Sequence, residues 1–494
     1  MSLIGIDVGS SSVKVGVYRS NGKPLAHASK TLTPRRPQPG WWEIEPEEVW
    51  TATLNGLRHV LGARAVQRDP PVMMAISASG REAFPVDQNG SPLGPCIMAG
   101  DVRGTEFELS SASHMSIPDW YLACGHLPER MDPVTRLLWW RQHHPSITKR
   151  MRYFLGWHEF LTLRLGGKAI TDKGLAGKWM IYDLALGGWS PQRLAEFDIE
   201  PGTLPTVRPW GEIIAELKPE LAAELGVTKA LKIAVGGFDA SCATLGTGAS
   251  GKGVGGLVSG SWEDLIVPTD RPPSVEILNR AMSLGPHPGG GGLAVFALSP
   301  NGTVVLDWAR SFTGLSLRTL NHNLENSGPQ PSPVLAIPHF SGATVPWGHK
   351  RESRGTLTGL TLASSSTDVT KALMEGIAYD LCLTFESLRQ AGMNITSLRA
   401  AGGGTRSDWW TQLKADLLGV PIEVTHHPEP GTLGAALLAG LAAKIHPTLE
   451  HGSSQWVSPN RRFEPVSERG NLHRENFEAY RKKAGQLIRL NGRG

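Results

Sequence analysis

Cysteine is scarce in this chain. Four occur in 494 residues, Cys96, Cys124, Cys242 and Cys382, far apart and with no CxxC spacing. That excludes a disulfide framework and a thiolate metal site and points to a reducing, cytoplasmic setting. Excess charge is lacking too: 49 Lys and Arg against 45 Asp and Glu leave a net +4, and basic runs such as Arg35-Arg36 and Arg461-Arg462 are short. Such runs are solvated surface, and no nucleic-acid footprint is expected. No uninterrupted apolar stretch approaches membrane-spanning length. The first residues read as a strand, with no charged segment leading into an apolar one, so no secretory signal is expected.

Glycine and proline, by contrast, are plentiful, 58 and 36, in a chain that is 40% hydrophobic and 19% charged. This is the composition of a loop-rich globular protein, long enough for two to four domains with full cores. Strand and helix signals alternate, which predicts an α/β architecture. Residues 5–25 read as a β-hairpin: an apolar strand runs into Asp7-Val8-Gly9-Ser10-Ser11-Ser12, resumes with period two, and turns at Ser20-Asn21-Gly22. A helix is expected to open at Pro46 with acidic residues in its first turn, and a buried strand is expected over residues 72–77. Residues 136–143, 157–165, 366–391, 407–418 and 432–443 read as helices, and residues 258–267 as a second hairpin. Residues 398–401 and 422–424 read as strands. The Gly-rich stretch 246–256 is expected to be the crossing between two domains, 1–245 and 246–494. Each half carries a small-residue turn near a hairpin and a strand–Gly–helix unit, which raises the suspicion of duplication.

Three units could carry chemistry. The first is the turn at Asp7, either good turn chemistry or a polyphosphate cradle with Asp7 aimed at its metal. The second is a strand, Gly236-Gly237-Phe238-Asp239 and a small-residue helix. There Asp239 is either a helix cap or a catalytic group at a strand's C-terminal end. The third is Gly402-Gly403-Gly404-Thr405-Arg406-Ser407, where glycines either make a sharp turn or let a flat ligand lie against the backbone. Ser407 could cap the following helix or bond a purine edge. Gly246-Thr247-Gly248-Ala249-Ser250-Gly251-Lys252-Gly253 mimics a Walker A loop. It lacks the closing hydroxyl residue, has a helix before it and a flexible run after it, and reads as a linker.

In order and spacing these units resemble the FGGY carbohydrate kinases, over nearly the whole chain. Asp7 to Lys14 resembles the family's first phosphate motif and Gly40-Trp41-Trp42-Glu43-Ile44-Glu45-Pro46 its Gly-Trp-x-Glu-x-x-Pro stretch. Gly236 to Asp239 matches its second phosphate motif, Ser259-Gly260-Ser261 resembles the segment that meets the terminal phosphate, and Gly402 to Ser407 with Trp410 and Leu433-Gly434 resembles the adenosine motif. The resemblance implies two actin-like (RNase H-type) domains with ATP and sugar in the cleft between them, and phosphorylation of a primary hydroxyl of a ketose, sugar alcohol or glycerol-like substrate. It implies that Asp7 holds Mg²⁺ through water and that Asp239 is the base. Ser10, Ser11, Ser12, Lys14, Gly260, Ser261, Gly302, Gly403, Gly404 and Ser407 are then expected to meet ATP, and Arg81, Glu82, Asp101, Arg103 and Asp239 the sugar. Arg81-Glu82 is similar to glycerol kinases, with a surface loop pair as the alternative. Gly342-Ala343-Thr344-Val345-Pro346 lacks the acid and base usual there, so no pentulose is singled out. The expected partner is a small sugar or polyol, with neither nucleic acid nor membrane, and the expected assembly a homodimer. A sugar-binding regulator that kept the fold and lost turnover is the alternative reading.

Overall fold

Alternation of apolar and polar residues places the first hairpin where it forms. In the computed structural model, which describes residues 1–107, 115–127, 131–348, 350–427 and 429–491, β1 (Ser2–Val8) pairs antiparallel with β2 (Ser12–Arg19). That strand pairs antiparallel with β3 (Pro24–Thr31). Gly22 turns between them in the left-handed region, at φ +80°, which costs glycine nothing. Helix α1 (Pro46–Leu61) starts at its proline with Glu47 and Glu48 in the first turn and lays Val49, Trp50, Leu57 and Val60 on the sheet. Strand β4 (Pro71–Ala78) runs parallel to β1. With β5 (Ile213–Glu216), β6 (Lys232–Ala234) and β7 (Gly237–Phe238) the order is β5-β6-β4-β1-β2-β3, and β7 continues beside β4.

The second half repeats this plan. Its strands are β8 (Val254–Ser259), β9 (Glu263–Thr269), β10 (Ser283–Pro286), β11 (Leu293–Ser299), β12 (Ser397–Ala401), β13 (Ile422–Thr425) and β14 (Pro459–Phe463), in the order β10-β11-β9-β8-β12-β13-β14. Read from β3, the first sheet is paired antiparallel, antiparallel, parallel, parallel, antiparallel. Read from β11, the second has the same succession. The suspected duplication is thus visible in strand pairing, although no short repeat marks it in sequence.

Two helices lock the halves together. Helix α2 (Asp239–Thr247) leaves the first sheet. Of the later helices, α3 (Thr303–Thr313), α4 (Ser366–Gln390), α5 (Asp408–Leu418) and α6 (Pro430–Ala442), the last returns to it. Leu433, Ala436, Leu437 and Ala439 of α6 share one core with Leu3, Met73 and Ala75 of the first sheet and with Cys242 and Leu245 of α2. The approach leaves no room for side chains: a Cβ would stand 1.8 Å from the Thr432 carbonyl oxygen at Gly5, 1.8 Å from that of Cys242 at Gly434, and 2.0 Å from that of Pro430 at Gly246. This corrects the expected crossing. Gly246 lies inside a helix, where it serves close packing, and Val254 already belongs to β8, so the irregular link is residues 248–253. Among the described residues no helix is long and apolar enough to cross a membrane.

Overpacking at such a contact costs about 1–3 kcal/mol, occasionally more. Gly434→Ala is therefore expected to lower the melting temperature by several degrees, whereas Gly251→Ala, whose Cβ would meet nothing within 4 Å, leaves it unchanged. Equal melting of the two variants in thermal denaturation would refute the close-packing role.

Candidate active site

Asp7 stands one residue before the end of β1, where parallel β4 brings Ser77 directly beside it. The Ser77 hydroxyl donates to Asp7 Oδ1 at 2.6 Å. The carboxylate lies over the bare Cα of Gly431, where a Cβ would come within 2.5 Å of Oδ2. Burial raises its pKa, against the pull of Ser77 and Lys14: a desolvated carboxylate short of positive charge, which suits a cation. The turn beyond it is closed by Gly9 N–H donating to Ser12 O at 3.1 Å, with Ser10 and Ser11 exposed. Lys14, opposite Asp7 in register, is engaged by Glu429 Oε2 at 2.6 Å, so a phosphate would have to compete for it.

Asp239 opens α2 without capping it; Phe238 is the N-cap residue, and the carboxylate accepts only from the adjacent Ala240 N–H, at 2.7 Å. The turn before it is held by buried His158, whose Nε2 accepts from Gly236 N–H at 3.1 Å while Nδ1 lies 3.1 Å from the Ile170 carbonyl oxygen as its donor. Burial first, then the charges of Asp7 and Glu82, push the Asp239 pKa from an ordinary 3.8 to about 8. This carboxyl therefore holds its proton more tightly than an ordinary aspartate.

The second hairpin turn, Gly260-Ser261-Trp262, is braced from three sides. Gly302 N–H donates to Ser261 O and Thr303 N–H to Gly260 O, at 3.1 and 2.8 Å. A Cβ on Gly302 would sit 2.6 Å from Gly260 O, so this glycine makes room for the turn. Gly402 and Gly404 likewise fit Ser259, at 2.5 Å from its carbonyl oxygen and 2.2 Å from its hydroxyl. Of the three glycines, only Gly403 faces open space. Ser407 is spent as the cap of α5, accepting from Trp410 N–H at 3.4 Å, and is buried, which favours the cap over a purine contact. Beneath them Lys414, buried and 3.6 Å from the Trp410 ring centroid, donates to Glu263 Oε1 at 2.5 Å and Ser259 Oγ at 3.0 Å. Ser259 Oγ donates to Glu263 Oε2 at 2.7 Å.

On the sugar side the expected residues divide. Glu82 is 2% exposed, and its Oε2 has no hydrogen-bond partner. Arg81 reaches the Lys178 carbonyl oxygen at 3.2 Å. Asp101 and Arg103, by contrast, satisfy each other: Arg103 donates to both Asp101 oxygens at 2.6–3.1 Å and to Glu43 at 2.9 Å, and lies 4.1 Å from the Trp41 ring centroid. They form a buried network that ties the Trp41-Trp42-Glu43 stretch down. Three groups escaped the sequence reading. Arg136 is buried with Nε and Nη1 unpartnered, and Glu82 and Asp101 are the charges favouring its cationic form. His126 is buried, with the Gly177 backbone beside its ring. Burial, Lys178 and Arg81 hold its pKa well below the usual histidine range. Lys178 packs its ammonium against Phe238 and Phe296, 4.3 and 3.6 Å from their ring centroids. No spacing rule links these positions.

Comparison with known proteins agrees with this geometry. The model of the FGGY family of carbohydrate kinases matches residues 2–246 with its N-terminal domain and 257–443 with its C-terminal domain. The chain is 27% identical over 498 residues to a xylulose kinase of Escherichia coli, covering 99% of each chain. It is 25% identical to a gluconokinase of Bacillus licheniformis, over 88% of this chain and 86% of that one. A solved xyloylose kinase from Brucella ovis superposes with a TM-score of 0.90 at 25% identity, over 99% of this chain and 100% of that one. The fold is the two-domain, actin-like one of those kinases.

Two outcomes follow from the buried charges. The Asp239 pKa is raised on folding, so the native state keeps a proton that the unfolded chain releases, and stability falls as pH rises from about 4 to about 8. Asp239→Asn removes that dependence. Its melting temperature should match the parent near pH 4 and exceed it by a growing margin up to pH 8; a constant margin would contradict the assignment. Lys414→Met leaves Glu263 buried and unpaired, a loss of roughly 3–5 kcal/mol. Adding Glu263→Gln should restore most of it in chemical denaturation, and failure to do so would show that Lys414 acts otherwise.

Proposed function

The chain belongs to the FGGY family of carbohydrate kinases, and from that premise we propose how its residues share the transfer of a phosphoryl group from ATP to a hydroxyl of a small sugar or polyol. The sugar domain runs from residue 1 through α2 and the nucleotide domain from β8 onward, joined by residues 248–253. The observation that carries the assignment is Asp239: a carboxyl at a strand–helix junction, nearly unbonded, raised to about 8 with Asp7 and Glu82 acting on it. Such a group is poised to take a proton near neutral pH. It orients a primary hydroxyl of the substrate and accepts its proton as the bond to phosphorus forms, late in a loose transition state.

Ser10, Ser11, Ser12 and Ser261, with the amides of the two hairpin turns, hydrogen-bond the phosphates. Gly260 lets the second turn come close, and Gly403 gives a flat face to the nucleoside. Asp7, anchored by Ser77, would hold Mg²⁺, largely through water, since among the described residues no cluster of three ligating side chains exists and magnesium keeps much of its hydration shell; bound there, it would supply charge neutralisation. Glu82 and Arg81, with Arg136 behind, take the sugar hydroxyls. The four cysteines are unpaired and buried, in keeping with a cytoplasmic protein.

The test is ADP release with a panel of ketoses, alditols, aldonates and glycerol. At least one should be phosphorylated, and Asp239→Asn should lower kcat by about 10²–10⁴-fold while ATP binding persists. Sugar binding without any ADP release would instead make this a sugar-binding regulator. Arg81→Ala is expected to raise KM for sugar about tenfold or more and to leave KM for ATP unchanged.

A further inference from the structure

Strand β9 carries two acids side by side, Glu263 and Asp264, and alternation sends them to opposite faces. Glu263 goes to Lys414 under the second turn. Asp264 shares its face with Ile266, which packs with Phe238, the residue before Asp239. Its neighbours across the ladder are Val258 on β8 and Leu298 on β11, whose side chains cannot bond it, and its Oδ1 is buried without a partner among the described residues. Burial and the charge of Asp239 hold its pKa well above the usual carboxylate range. A buried polar atom left unbonded is a standing cost to the fold, and no other role on this apolar face accounts for it.

We propose that Asp264 is a specificity-determining residue, which bonds a hydroxyl of the sugar from the C-terminal wall of the cleft. Glu82 Oε2, equally unpartnered, waits on the N-terminal side of Asp239, and Asp264 on the other. The substrate is then read from both domains: a polyhydroxylated chain with hydroxyls on both sides of the one phosphorylated, and no anionic group near Asp264. This rests on the kinase reading for the identity of the ligand, not for the contact itself.

The experiment compares the parent, Asp264→Leu and Asp264→Asn on the best sugar of the panel and its single-deoxy analogues, with calorimetric binding of the same sugars in the absence of ATP. Asp264→Leu should melt cooperatively, raise KM for sugar about tenfold or more and leave KM for ATP within about twofold. One deoxy analogue that the parent rejects should be accepted by Asp264→Leu as readily as the full sugar, because the hydroxyl it lacks has lost its partner. Asp264→Asn should retain most of the affinity. Unchanged sugar KM, or unchanged rejection of every deoxy analogue by Asp264→Leu, overturns the proposal. If the parent binds sugar without turnover, weaker calorimetric binding by Asp264→Leu upholds this contact while the kinase reading falls.

Discussion

The near-contact of α6 with β1 and α2 is the constraint from which the site takes its shape. Backbone lies on backbone at Gly5, Gly246 and Gly434, and Gly431 lies under the Asp7 carboxylate. A helix kept at a distance by side chains would leave that carboxylate in bulk water, its pKa ordinary and its position loose. Because α6 comes from the second half of the chain and packs on the sheet of the first, the same contact fixes the two halves to each other close to the chemistry.

Charge at the site follows from that geometry. Asp7, Asp239 and Asp264 come from three different elements and are buried close enough to bear on one another. Burial first, and then the charge of neighbouring acids (Glu429 for Asp7, Asp7 and Glu82 for Asp239, Asp239 and Glu263 for Asp264), keep all three above their ordinary pKa values. The arrangement also couples Asp239 to its surroundings: Asp7 is one of the two acids whose charge raises the Asp239 pKa, so neutralising Asp7 lowers it.

What could be read from sequence was local. The hairpin at Asp7, the strand–Gly–helix at Asp239, and the helices at residues 46, 157 and 407 each announce themselves by periodicity, capping and turn chemistry within about ten residues, and each formed. The partners that give those residues their properties were not legible, because topology brings them in from afar: Ser77 to Asp7, His158 to Gly236, Lys414 to Glu263. A glycine in sequence shows where a side chain is missing and not what fills the space: at Gly302, Gly402 and Gly404 the space beside the missing Cβ is taken by the backbone or side chain of residues 259–262. Asp101 and Arg103 matched a motif, yet a motif cannot reveal that two opposite charges two residues apart have satisfied each other.

The repeated strand pairing carries the last step. Both halves present a hairpin turn at the same place in the same ladder, so the scaffold alone does not distinguish the two turns. The difference lies in which strand of the hairpin bears the acid. In the first half it is the incoming strand, with Asp7 bonded by Ser77 and Lys14 opposite it in register. In the second it is the outgoing strand, where Glu263 is held by Ser259 and Lys414, and Asp264, on the other face of the strand, feels the charge of Asp239. One repeated frame thus holds two turns at matched positions while the acids beside them are held differently: Asp7 by a hydroxyl from the neighbouring strand, Glu263 by an ammonium and a hydroxyl beneath its turn, and Asp264 with an Oδ1 that no described residue bonds.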